Sequence, residues 1–246
     1  MLLAHCTTFD SPTPSTDGGG ADATASLDTG APDGKSTNEV TFLEARTTPG
    51  KGGTDVVPLL PAPAKAGDAL VAFWLTSTSP IAPALEWQLA GSVTIGPAGS
   101  QSSLWVGSHV LTAAEVASQT PFKFIQKNDG PQEITLLVFR GARPVDPANP
   151  VKVQASSSNG PITGLPFDVS PSGPSRAVFA FASASTGTQF PGVPAGFTEL
   201  ARTTGSLVVY QRSDMFPAGA TVTPPTIVLP DVGPVGSAAL GIIAAP

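Results

Sequence analysis

Leu70-Val71-Ala72-Phe73-Trp74-Leu75 decides the fold, because it is apolar at every position. Successive side chains of a strand point to opposite faces, so a run that is apolar on both reads as a central strand covered on either side. Ile134 to Phe139 has the same character and the same requirement. Outward from these two, the chain from Val40 onward is a series of short runs rich in β-branched and aromatic residues, each closed by Gly, Pro, Ser or Asn. Candidate strands in the first half are Val40 to Thr47, Asp55 to Leu59, Ala69 to Thr76, Trp87 to Ile95, Ser102 to Leu111, Phe122 to Gln126 and Glu133 to Arg140. The second half offers Val151 to Ser156, Ile162 to Val169, Ala177 to Ser183, Thr198 to Thr203, Ser206 to Arg212, Thr226 to Leu229 and Ser237 to Ala244. Only Thr112 to Ser118 has a helical period, so the expected class is all-β, an antiparallel sandwich or barrel. Prolines at 58, 61, 63, 80, 83, 97, 121 and 131 fall between runs or at their ends, where a missing donor costs little.

The two series correspond. Val40-Thr-Phe-Leu-Glu-Ala aligns with Val151-Lys-Val-Gln-Ala, Ala69-Leu-Val-Ala-Phe with Ala177-Val-Phe-Ala-Phe, and Trp87-Gln-Leu-Ala with Phe197-Thr-Glu-Leu-Ala. Ser103-Leu-Trp-Val matches Ser206-Leu-Val-Val, and Phe139-Arg-Gly-Ala matches Ile243-Ala-Ala. An internal repeat of this kind implies that neither half, 40–142 or 151–245, buries its inward face alone. The halves are expected to intermesh, or to pack face to face, as one domain over 40–246.

The order of segments resembles a jelly-roll-like β-sandwich family of bacterial secreted and surface proteins and phage tail proteins. The resemblance rests on Gly67-Asp68-Ala69-Leu70-Val71-Ala72, on Pro83-Ala-Leu-Glu-Trp87 with its second-half counterpart Pro194-Ala-Gly-Phe197, on the strands at Leu104 and Leu207, and on the turn Arg140-Gly-Ala-Arg-Pro-Val-Asp-Pro. It covers essentially everything but the N-terminal segment. These motifs are structural and carry no catalytic residues.

Residues 1–39 differ in kind. From 7 to 38 only Phe9 and Leu27 are large and apolar, amid Gly, Pro, Ser, Thr and Asp. Such a segment cannot bury enough surface to offset its ordering entropy and is expected to be a disordered acidic tether, with a mean reach of roughly 30 Å. Asp17, Asp22, Asp28 and Asp33 lack the alternate spacing of a calcium loop and read as solvated charges. Leu3-Ala4-His5-Cys6 resembles the end of a bacterial lipobox, with His5 departing from the small residue usual before the cysteine. Two readings stand: Cys6 is a lipidation site whose export signal lies upstream of a start assigned too late, or it is an incidental cysteine. A lipid anchor would be the only membrane contact, since no apolar stretch approaches a membrane-spanning length.

Composition narrows the chemistry. Only 12% of residues are charged, so hydroxyls and backbone solvate much of the surface, as on exported β proteins. A net charge of -6, with twelve scattered Lys and Arg, argues against nucleic acid. One Cys and two His provide no zinc set, and no cofactor is expected. His109 has no nucleophile elbow to serve and is expected to be a satisfied or surface histidine. Glu86 and Glu199, beside Trp87 and Phe197, are not at equivalent positions, which weakens a two-carboxylate glycosidase reading. Trp74 is expected in the core, whereas Trp105 is the candidate ligand contact, facing away from Leu104 and Val106. The expectation is a non-enzymatic extracellular or cell-surface module, binding or structural, with a surface glycan or a protein as partner. The alternatives are a component of a phage-like tail or surface assembly, and a glycan-active hydrolase.

Overall fold

A computed structural model describes residues 39–50, 52–77, 80–82, 87–96, 101–119, 122–143, 152–156, 160–163, 166–168, 173–184, 188–204, 206–229 and 234–245. The acidic segment with Cys6, and Glu86, lie outside the described residues.

The first half contributes β1 (Thr41–Gly50), β2 (Asp55–Val56), β3 (Ala69–Thr76), β4 (Pro80–Ala82), β5 (Gln88–Ile95), β6 (Ser102–Val110), α1 (Ala113–Ser118), β7 (Phe124–Gln126) and β8 (Gln132–Arg140). Pairing is nested and antiparallel: β1 with β8, β2 with β7, and β3 with β6. A long hairpin folded over on itself gives this pattern, which is the jelly roll. It leaves one five-stranded sheet in the order β1-β8-β3-β6-β5, with a small sheet β2-β7-β4 beside it. The run Leu70 to Leu75 is the middle of β3, the central strand, and every residue of β3 is buried.

The second half contributes β9 (Lys152–Ser156), β10 (Gly160–Thr163), β11 (Phe167–Asp168), β12 (Ser175–Ser183), β13 (Phe197–Arg202), β14 (Leu207–Phe216), β15 (Thr221–Val222), β16 (Thr226–Leu229) and β17 (Val235–Ile243). Its pairing nests in the same way: β9 with β17, β10 with β16, β11 with β15, and β12 with β14. The main sheet runs β9-β17-β12-β14-β13, so in each half the first strand neighbours the last, and the central strand, β3 or β12, has β6 or β14 on its other side. Both hairpins β5–β6 and β13–β14 carry a register shift at corresponding places, between Leu89 and Gly91 and between Glu199 and Ala201.

The main sheets are not built from exchanged strands: each comes from one half, and the halves pack face to face. Between them lies a shared core to which the first half gives Val71, Phe73, Leu75, Leu104, Val106 and Phe139, and the second gives Val178, Ala180, Ala182, Leu207, Val209 and Leu240. Burying each large aliphatic or aromatic side chain here contributes about 1.5–3 kcal/mol, and each half supplies one wall of this core. Two further cores fill the outer faces. One holds Trp74, Trp87, Trp105, Phe122 and Phe124 on the first sheet, and the other Phe179, Phe181, Val208 and Tyr210 on the second. Each central strand is therefore covered on both faces, as its two-sided apolar pattern requires.

The register refines the alignment of the halves. Val71 lies opposite Ser108 and Leu137, and Val178 opposite Gln211 and Leu240. Val71 thus corresponds to Val178 and Phe73 to Ala180, one residue away from the pairing of Ala69 with Ala177. A one-residue slip turns every side chain to the opposite face. On the outer face the halves exchange volumes: Trp105 and Gly107 of β6 stand where β14 has Val208 and Tyr210. A Cβ on Gly107 would enter the Trp105 ring, so the indole can lie across this position only because it is glycine.

The Gly67-Asp68 and Arg140-Gly141 segments meet at one corner. Asp68 accepts hydrogen bonds from the Lys65 backbone N–H at 2.9 Å, from Arg140 Nε at 3.0 Å and from Arg140 Nη2 at 2.9 Å. The Gly-Asp turn before β3 is thereby tied to the end of β8. Gly141 follows with φ of +68°, and a Cβ there would sit 2.6 Å from the Glu39 carbonyl oxygen. Across the halves, Ala142 bridges Ala244, and Arg176 Nε donates to the Val40 carbonyl at 3.0 Å.

Candidate functional site

Trp105 does not present a ligand-stacking face. It is 3% exposed, with its ring centroid 6.3 Å from Trp74, 6.1 Å from Trp87 and 6.0 Å from Phe124. The sequence places it on the correct face of β6, but that face is roofed by Phe122 and Phe124, so the indole is core. His109, on the same face, is buried beside Trp87 and Phe122, with ring centroids at 5.6 and 5.2 Å. Its Nε2 lies 2.9 Å from the Glu115 carboxylate. Glu115 also closes the capping box of α1, accepting from the Thr112 backbone N–H at 2.7 Å while Thr112 Oγ1 accepts from the Glu115 N–H. Burial pushes the Glu115 carboxyl up, but the Thr112 N–H and the His109 and Thr112 side chains together hold it below its ordinary value. His109 is thus a satisfied structural histidine that fastens α1 to β6.

Glu199 is likewise engaged. Arg202 Nε donates to both of its oxygens at 3.1 Å, and Arg202 Nη2 to one at 2.6 Å. The same guanidinium reaches the Phe190 and Pro191 carbonyls and the Tyr210 hydroxyl. Glu199 is thus the ion-pair partner of Arg202. Among the described residues no group of three or more His, Cys, Asp or Glu side chains is arranged to hold a metal ion.

The feature that stands apart is a cavity of about 310 Å³ between the two halves, at the end of the sandwich where β3 and β12 finish and β8 begins. From the first half it is lined by Leu75, Thr76, Ser77, Ser102 and Pro131 to Glu133; from the second, by Ser183, Ala184, Thr204 and Ser206. The volume is at the lower end of small-ligand pockets. Glu133 lies opposite Leu75 in the β3–β8 register, so it points to the inter-sheet face. Loss of water raises its carboxyl above the ordinary glutamate value, and the Thr203 and Ser206 hydroxyls, which favour the ionised form, only partly offset this. Its Oε1 is buried with no hydrogen-bond partner. An orphaned acceptor of this kind costs about 1–3 kcal/mol, more when charged.

The corresponding corner of the other half is filled differently. Glu133 lies opposite Leu75, and Gly236 lies opposite Ala182, at equivalent points of their sheets. Val93 pairs with Leu104, and the Thr203 N–H donates to the Leu207 carbonyl at the equivalent point. Glu133 against Thr203 is therefore the counterpart of Gly236 against Val93. At Gly236 the sheets close: a Cβ there would fall 2.7 Å from Ile95 Cδ1 and Cγ1 and 3.2 Å from Val93 Cγ1. One corner is apolar and shut, whereas the other holds a carboxyl group, hydroxyls and a cavity.

Sequence reasoning passed over Glu133 because it heads an apolar run and reads as a charge at a strand end. The only signal was positional, a Glu in one half against a Gly in the other, and it becomes readable once the register is known. Comparison of the chain with protein-family models, with curated proteins and with solved structures finds no match.

Proposed function

We propose that the chain is an internally duplicated, non-enzymatic binding module that takes a small ligand in the open corner between its halves. The observation that carries this reading is the contrast between the two corners: the Gly236 corner is packed shut, and the Glu133 corner keeps a cavity with a buried, unpartnered carboxyl oxygen. A protein that needed only to join its halves gains nothing from leaving a polar group unsatisfied there. Among the described lining residues Glu133 is the only titratable side chain, which gives the site a group to bind with and, among those residues, no second acid or base with which to turn a substrate over. The low charge, the hydroxyl-rich composition and the acidic N-terminal segment with Cys6 favour a place outside the cell, with the segment as tether.

The test is an array of glycans and small polar metabolites, probed with the full chain and with Thr204→Trp, which places an indole at the cavity mouth from an exposed position. Binding by the parent that the variant loses supports the reading. Binding that the variant retains moves the site elsewhere and overturns it.

A further inference from the structure

The chemistry of the open corner also specifies what it binds. Its charge is of one sign: Glu133 lies in the wall and, among the described residues, no Lys, Arg or His lines the cavity, so an anionic ligand would meet an uncompensated carboxylate. Among the described residues no donor reaches Oε1, so the carboxylate is left short of compensation. Around it the wall is hydroxylic, with Ser77, Ser102, Ser183, Thr204 and Ser206 offering groups that both donate and accept. Its apolar part is aliphatic, Leu75, Pro131 and Ala184, with no aromatic platform for a pyranose face.

We propose that the corner binds a small polyhydroxylated ligand through a primary ammonium group paired with the Glu133 carboxylate in its wall. This rests on the reading of the corner as a binding site. A charge-assisted N–H to carboxylate bond is roughly twice as strong as a neutral one, and the low-dielectric setting strengthens it further. The ammonium supplies the counter-charge that the described wall lacks, while the ligand hydroxyls exchange bonds with the serine and threonine wall. A neutral sugar achieves only the second, and a simple alkylamine only the first.

The experiment is calorimetric or NMR titration of the full chain with glucosamine, glucose and propylamine, repeated on Glu133→Gln. Gln preserves the size and one acceptor while removing the charge. Glucosamine is expected to bind at least tenfold more tightly than either partial analogue, and Glu133→Gln to lose roughly tenfold for glucosamine with little change for glucose. Glucose binding as well as glucosamine, Glu133→Gln binding glucosamine unchanged, or no glucosamine binding at all would each overturn the assignment. If glucosamine fails while the array still shows ligands lost in Thr204→Trp, the ligand class is wrong and the corner remains a binding site. If both fail, the binding reading falls with it.

Discussion

Gly236→Ala tests the closed corner, and with it the contrast that identifies the open one. The added methyl would lie 2.7 Å from two carbons of Ile95 and 3.2 Å from Val93 Cγ1, against about 3.5–4.0 Å for carbons in contact. Ile95 is fully buried in the shared core and cannot swing into solvent, and Val93 is stiff at χ1. The sheets must separate slightly or Ile95 must leave its rotamer, an overpacking cost of about 1–3 kcal/mol. At a urea m-value of about 2–3 kcal/mol/M the unfolding midpoint should fall by roughly half to one molar. Ile95→Ala alone creates a cavity and costs about 2–5 kcal/mol. Combined with Gly236→Ala it removes the clashing atoms, so the double variant should be more stable than additivity predicts by about 1 kcal/mol or more. A neutral Gly236→Ala, or strictly additive costs, would show that this corner is not closed by these residues.

Trp105→Ala should behave as a core deletion, losing about 3–5 kcal/mol in denaturant unfolding; a loss under about 0.5 kcal/mol would mean the indole is at the surface after all. Glu133→Gln should stabilise the protein near neutral pH. The folded-state carboxyl titrates above its unfolded value, so wild type is stabilised by protonation below the usual range near 4.5 and loses that contribution as pH rises through the folded value. The advantage of Gln should therefore shrink on acidification, and an advantage independent of pH would refute the burial argument. Gly141→Ala combines positive φ with a contact on the Glu39 carbonyl and should cost about 1–3 kcal/mol by thermal or chemical unfolding, whereas an unchanged midpoint would mean that this turn is not tightly held.

The sequence carried much of the main-sheet architecture because its strands are long and bounded by turn residues. β3 spans Ala69–Thr76, the bounds the sequence sets, and the four-residue β16 of a small sheet, Thr226–Leu229, also falls where the sequence sets it. The helical period over Thr112 to Ser118 belongs to α1, whose capping box is written in Thr112 and Glu115. The strands β4 at Pro80–Ala82 and β15 at Thr221–Val222 are two or three residues long and exist because a partner strand lies beside them, which no local pattern announces. The alignment of the halves slipped by one residue at β3 and β12 for a physical reason. Where both faces of a strand are apolar, alternation vanishes, and with it the only sequence signal that distinguishes inward from outward. Trp105 was placed on the correct face, but whether that face meets solvent depends on Phe122 and Phe124, contributed by a later segment. Glu133 is the converse case: it resembles a solvated strand end, yet it is half-buried, and its carboxyl meets the Thr203 and Ser206 hydroxyls, which arrive from the other half.

Everything proposed for the open corner depends on the Glu133 carboxyl being withdrawn from water between the halves. The most direct measurement is a pH titration of its carboxyl carbon by 13C NMR on the ligand-free full chain, assigned by comparison with Glu133→Gln. A midpoint above that of an ordinary glutamate is expected, as loss of water dictates. A midpoint at or below the ordinary value would show a solvated or counter-charged carboxyl and would contradict the proposed site.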